Sequence, residues 1–250
     1  MESSFTFSLL ERASFPYFQN PQTQQTLTKW GVWNSMDLFK FRFEQVFSED
    51  LAETFLLDLV NSSEVRRALP SIAQGAKASP VTSLNFKKLR CSEVSMSFFN
   101  FLKEKGFSGD SGNIVKVIPD WLDDIEIVDK FREAVLMEES EHWDLLPQEV
   151  RDEFLFRVFQ HLEIGGGMNQ YEDYIEPYLE TTKGVYKDLV SVKQDQDTQE
   201  LYIVSQVYQL LDNNQFDPFG SEHPQNFCYV IVDPSYRHVN LWYHRWRSFW

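Results

Sequence analysis

"FCYVIVDPSYRHVNLWYH", residues 227–244, decides the fold class. Two runs rich in β-branched and aromatic residues, "FCYVIV" and "HVNLWYH", flank the short connection "DPSYR" and read as a hairpin. Strands joined so closely pair antiparallel, because a parallel return needs a crossover of roughly a dozen residues or more. Upstream, "YKDLVSV" (186–192) and "ELYIVSQVY" (200–208) alternate on either side of "KQDQDTQ", which reads as another hairpin. Helical patterns sit in the middle of the chain. The expectation is an α+β fold: a C-terminal antiparallel sheet built from consecutive hairpins, packed with helices from the middle of the chain. Residues 1–250 are expected to form a single domain, with mobile loops near 70–80 and 211–226.

Working back towards the N-terminus, "FTFSLL" (5–10) reads as a short strand. "NPQTQQTLTKW" (20–30) opens a helix with Asn20 as cap and Pro21 in its first turn. "MDLFKFRFEQVF" (36–47) alternates Phe39, Phe41 and Phe43 against Lys40 and Arg42, the pattern of a half-buried strand. Ser48 is placed to cap the helix "EDLAETFLLDLV". "VTSLNFKKL" (81–89) reads as a strand, "MSFFNFLKEKG" (96–106) as a short helix ended by Gly106, and "GNIVKVIPDW" as a strand stopped by Pro119. The spacing in "DIEIVDKFREAVLM" (124–137) predicts a helix. A second runs through "PQEVRDEFLFRVFQHLEIGGG", with Val150, Phe154, Leu155, Val158, Phe159 and Leu162 on one face and Glu149, Arg151, Asp152 and Gln160 on the other.

Apolar residues make up 42% of the 250-residue chain and 22 of them are phenylalanine, which implies a bulky aromatic core. The net charge of −15 disfavours nucleic acid and anionic membranes and favours basic or amphipathic protein partners. No apolar run approaches the ~20 residues of a membrane span. Cys91 and Cys228 form no CxxC pair, so a reducing compartment is expected, and the opening "MESSFTFSLLERASF" lacks the features of a signal peptide.

The stretch "QYEDYIEPYLETTKGVYKDLVSV" (170–192) gathers acids and tyrosines just after Gly165-Gly166-Gly167. A phosphate cradle needs a strand before the glycines and a helix after them; here a long helix precedes them and acids follow, so a left-handed helix C-terminus is the better reading. Glu172, Asp173, Glu176 and Glu180 could in principle serve a carboxylate-dependent hydrolase, but an acidic solvent face looks the same. Tyr171, Tyr174, Ile175 and Tyr178 follow helical spacing, with Pro177 starting or kinking a turn. If the last hairpin pairs Val232 with His238, Cys228 shares a face with His238 and His244; the two histidines would lie about 20 Å apart along a strand, too far for one metal ion. No metal, no cofactor and no catalytic residue is expected. A folded interaction module is the best reading of the residues alone.

The same stretch resembles the signature region of the cilia- and flagella-associated protein 300 family. "SMSFF" (95–99), "DSGNIVK" (110–116), "EFLFRVFQHLEIGG" (153–166), "VIVDPSYRHVNLWYH" (230–244) and, more weakly, "FRFEQVF" (41–47) are similar to that family in the same order. The extreme N-terminus, the loops at 70–80 and 211–226 and the tail "RWRSFW" match poorly or not at all. The resemblance implies a non-enzymatic protein of the cytoplasm and cilium, acting as adaptor or factor in the assembly or transport of outer and inner axonemal dynein arms. It implies contact with kintoun-like, PIH-domain assembly factors and with the intraflagellar transport machinery. A structural axonemal subunit is the alternative. The matched motif supplies the protein-binding candidates: Gln170, Tyr171, Glu172, Asp173, Tyr178, Glu180, Thr181, Thr182 and Lys183.

Overall fold

The computed structural model describes residues 4–247; Met1–Ser3 and the tail residues Ser248, Phe249 and Trp250 lie outside the described residues. In chain order the strands are β1 (Phe7–Leu9), β2 (Met36–Phe43), β3 (Asn85–Leu89), β4 (Lys116–Leu122), β5 (Ile125–Asp129), β6 (Val192–Gln194), β7 (Leu201–Ile203), β8 (Gln206–Leu211), β9 (Phe227–Asp233) and β10 (His238–His244). The helices are α1 (Pro21–Lys29), α2 (Ala52–Asn61), α3 (Ser63–Ala68), α4 (Pro70–Gly75), α5 (Phe101–Glu104), α6 (Lys130–Leu136), α7 (Gln148–Arg151), α8 (Phe154–Ile164) and α9 (Glu176–Leu189). They sort into two compact units, each discontinuous in sequence. A sheet unit takes the residues up to Ser14, Met36–Leu89 and Leu189–Arg245; a helical unit takes Phe15–Ser35, Arg90–Asp188 and the residues after Arg245.

The sheet unit is built on an antiparallel sheet of order β1-β2-β10-β9-β8-β3. This is the expected α+β class, with the N-terminal strands β1, β2 and β3 joining the C-terminal ones. Alternation sends Phe41 and Phe43 of β2, Val239, Leu241 and Tyr243 of β10, and Cys228, Val230 and Val232 of β9 to one face, where α2, α3 and α4 cover them. Phe55 of α2 is the hub, with the rings of Phe5, Phe7, Phe43 and Phe47 edge-on around it at 4.9–5.1 Å. Such edge-to-face pairs add about 0.5–1.5 kcal/mol each to the burial itself, which gives the phenylalanine excess a structural use.

Several local expectations are corrected in this unit. Residues 70–75 are helical, not loop, because Pro70 fits a first turn and Ile72 is buried. Ser48 makes no side-chain cap; a 3-10 turn over Glu49–Leu51 leads into α2 instead. The 186–208 hairpin is shorter than expected: Tyr186–Leu189 finish α9, only β6 and β7 pair, and Gln206 starts the separate strand β8. Val232 pairs with Val239, one residue off the His238 register, so Cys228 faces Tyr243 across the hairpin and shares no face with His238 or His244. A one-residue slip exchanges the two faces of a strand, and it removes the cysteine–histidine cluster. Residues 212–226 contain no regular element.

The helical unit is organised by α8, buried on almost every side: Gln160, expected on a polar face, is buried along with His161 and Glu163, and of that face only Glu149, on α7, is exposed. The expected long helix is also broken, since Glu153 is extended and divides α7 from α8. Phe99, Phe107, Phe131, Phe156 and Phe159 form the aromatic core here. Asn20 does cap α1, its side chain accepting from Gln22 N–H at 2.8 Å. Two expectations fail in the middle of the chain. Pro119 does not stop β4, which continues to Leu122 through a register shift between Lys116 and Asp120, a place where a missing N–H is tolerated. "IEIVD" is strand β5, not helix: it pairs with β4 and buries Ile125 and Ile127 on one face, and α6 begins only after Asp129, whose carboxylate caps it.

Candidate functional site

The glycine run ends α8 at Gly165, whose φ of +74° favours glycine, although its ψ of −162° places it outside the left-handed helical conformation expected. Gly166 N–H donates to Trp30 O at 2.8 Å, and the backbones of Gly31 and Gly166 are so close that a Cβ on Gly166 would collide with the Gly31 carbonyl. The chain then passes the C-terminal end of α1 as a strap, residues 170–175. Gln170 N–H donates to Lys29 O at 3.0 Å, Ile114 N–H to Asp173 O at 2.9 Å, and Ile175 N–H to Gly112 O at 2.9 Å. Pro177 sits in the first turn of α9, so the helical spacing expected from Tyr171 onwards begins only at Glu176.

Side chains fix the strap from both sides. Glu172 Oε1 accepts from Lys29 Nζ at 2.6 Å and from Trp30 Nε1 at 3.0 Å, and Glu172 N–H donates to the Tyr178 hydroxyl at 3.1 Å. The Trp30 and Tyr178 rings pack with centroids 4.5 Å apart. Tyr171 lies against the Arg132 guanidinium, 4.4 Å from its ring centroid. Burial first, and then neighbouring Glu126, push the Tyr171 hydroxyl up to about 12 against the opposing pull of Arg132.

Beneath the strap is a buried ionic centre. Arg132, Asp129 and Glu163 are fully enclosed, and Arg132 Nη1 donates to Asp129 Oδ2 and, at 2.7 Å, to Glu163 Oε1, while Nη2 donates to the Glu163 carbonyl. Burial alone would lower Arg132, but the two carboxylates outweigh it and hold the cation charged. Burial lifts Glu163 well above the carboxylate range, with Arg132 opposing and Asp129 adding to the rise. Composition did not reveal this centre. The available signals were Asp129 and Arg132 three apart and Glu163 set among apolar residues.

The sequence-derived candidates therefore divide. Gln170, Asp173, Glu180 and Lys183 are exposed, together with Tyr174 and Glu176. Tyr171 and Glu172 are half-buried and engaged as above. Tyr178, Thr181 and Thr182 are buried, packing α9 against its own unit. A partner at this surface would meet the first group, not the last. Tyr186 closes the other end, its hydroxyl 3.4 Å from Cys91 Sγ and donating to Glu93 O at 3.2 Å. Burial pushes the Cys91 thiol up to about 12, against the Tyr186 hydrogen bond, so it is protonated near neutral pH. Burial raises Cys228 likewise.

A cleft of about 370 Å³ in the helical unit is lined by Gly31, Trp33, Gly166, Met168 and Trp246. A smaller one of about 190 Å³ in the sheet unit is lined by Asp212, Asp217, Phe219 and His223. Among the described residues no group of three or more His, Cys, Asp or Glu side chains could hold a metal ion, and no helix is long and apolar enough to cross a membrane.

Comparison with known proteins gives these segments a common context. A protein from Paramecium tetraurelia called cilia- and flagella-associated protein 300 is 33% identical over 246 residues, covering 95% of each chain. A protein of the same name from Chlamydomonas reinhardtii is 33% identical over 234 residues, covering 90% of this chain and 91% of its own. No solved structure matches. The family model described as cilia- and flagella-associated protein 300 matches residues 4–244, from ahead of β1 to the last residue of β10, with the glycine cap, strap and α9 inside it. The chain belongs to the cilia- and flagella-associated protein 300 family.

Proposed function

We propose that this ciliary protein is a non-enzymatic adaptor or assembly factor for outer and inner axonemal dynein arms, working in the cytoplasm and the cilium. The observation that carries the reading is family membership across both units, residues 4–244. The acids that most resembled catalytic groups support it: Glu172 is tied to Lys29 and Trp30 as an anchor, while Asp173, Glu176 and Glu180 lie on the exposed side of the strap and α9. Exposed acids beside Tyr174 suit recognition of a basic partner surface. PIH-domain assembly factors of the kintoun type are the proposed partners, with the intraflagellar transport machinery as carrier.

Removing the protein from a ciliated cell tests this. Cilia should still form, with both dynein arms depleted and beating impaired. Normal arms after complete loss would overturn the assembly role. Retention of the protein in axonemes through high-salt extraction would instead favour a structural subunit. Turnover of a sugar or nucleotide by the purified protein, abolished by neutralising one strap carboxylate, would overturn the non-enzymatic reading.

A further inference from the structure

We infer that the hairpin formed by β4 and β5 is a docking arm for a basic, apolar-faced segment of another protein. The inference rests on the binding-protein reading above and names a surface outside the signature motif.

Ile118 is 90% exposed and Trp121 63% exposed, both on β4. Large apolar side chains so fully presented to water are a mark of recognition, and tryptophan is among the residues most enriched in binding hot spots. The arm is held in place from below. Ile125 and Ile127 are buried, Asp129 is bonded to Arg132, and Lys130 N–H donates to Val115 O at 2.9 Å. The exposed pair is therefore presented on a fixed support, which lowers the ordering cost of binding.

Charge selects the occupant. Trp121 stands directly across from Glu126, and Asp120 Oδ1 accepts from the Trp121 N–H at 2.8 Å. The turn adds Asp123 and Asp124, the latter accepting from Trp246 Nε1 at 3.4 Å. The arm that carries Trp121 thus holds four acids, Asp120, Asp123, Asp124 and Glu126, against Lys116 at the base of the strand. A second copy of this chain would bring four acids against four, and anionic lipid or nucleic acid would be repelled likewise. A segment carrying lysines or arginines beside apolar side chains satisfies both parts of the surface. Pro119 deprives β4 of one N–H donor in its middle, so recognition runs through side chains rather than through an added strand.

The test places the photoreactive residue p-benzoylphenylalanine at position 121, and separately at 174 on the strap, in the full chain inside ciliated cells. Position 121 should cross-link to a segment of another protein rich in Lys or Arg and apolar residues. A synthetic peptide of that segment should bind the purified full chain about tenfold or more tighter than the Ile118→Ser, Trp121→Ser double variant. Thermal unfolding of the variant should match the parent, since both side chains are exposed. Cross-links from 174 but none from 121 would overturn the arm and leave the binding role standing; silence at both positions would overturn both. Adducts with this chain itself or with an acidic segment, or equal affinity for the double variant, would overturn the proposal too.

Discussion

Arg132 and Glu163, 31 residues apart in sequence, meet through a 2.7 Å bond between Nη1 and Oε1 with both side chains sealed from solvent. Asp129 completes the centre by accepting from the same Nη1. Removing the cation would leave the carboxyl oxygens of Asp129 and Glu163 without their donor where water cannot reach. Arg132→Leu should therefore destabilise the protein by about 3–5 kcal/mol, as breaking buried pairs does. Urea unfolding would measure it, and a loss comparable to that of an exposed arginine such as Arg67 would show that the centre is not what secures α6 to α8.

The same centre gives stability a pH dependence of definite sign. Because burial raises Glu163, the folded protein holds that proton more tightly than the unfolded chain. The stabilisation is complete below the ordinary glutamate range and is lost as pH rises through the folded pKa. The urea midpoint should fall as pH is raised from that range, and Glu163→Gln should make the fall shallower. Glu153, also raised by burial against its Ser92 hydrogen bonds, keeps part of the slope. Identical slopes for parent and variant would count against this assignment.

Glu172 offers a test of anchoring against chemistry. Glu172→Ala leaves the enclosed Trp30 Nε1 without its acceptor, at a cost of about 1–3 kcal/mol, while Lys29, partly in water, adds little. Glu172→Gln keeps an oxygen in place and should lose less. Thermal melts of the two variants decide it; equal losses would mean that the charge, not the indole contact, holds the strap.

A chain stopped before Asp233 lacks β10, which pairs with both β2 and β9. It forfeits the burial of Val239, Leu241, Trp242 and Tyr243 at about 1.5–3 kcal/mol for each large side chain, which approaches the whole stability of a typical domain. Such a chain should be insoluble or degraded, whereas one ending at His244 keeps every strand of the sheet. Cooperative unfolding in soluble protein from the shorter chain would contradict the central place of β10.

What the sequence made legible was local. Asn20 and Pro21 announce α1, the alternation from Phe39 to Phe43 announces β2, and Gly165 ends α8 as its position suggests, because caps and two-residue periods act within a few residues. Within "DIEIVDKFREAVLM" the helix expected is present from Lys130 to Leu136, but Ile125 and Ile127 suit a helix face as well as a strand, and only the pairing with β4 decides between them. The hairpin register was missed by one residue, since "DPSYR" together with its flanks allows either pairing. The strap was visible as a motif but not as a structure. Glu172 finds Lys29 and Trp30 more than 140 residues away, and no local pattern reports a contact of that span.

The placement of β10 also sets an order of events during synthesis. β2 leaves the ribosome about 200 residues before its neighbour in the sheet is made, an interval on the order of ten to forty seconds at usual translation rates. Until then one edge of β2 has no partner, and the phenylalanines around Phe55 have no complete wall to close on. The nascent chain should spend that interval as a client of chaperones, protected from neighbouring polysomes rather than folding stepwise as it emerges.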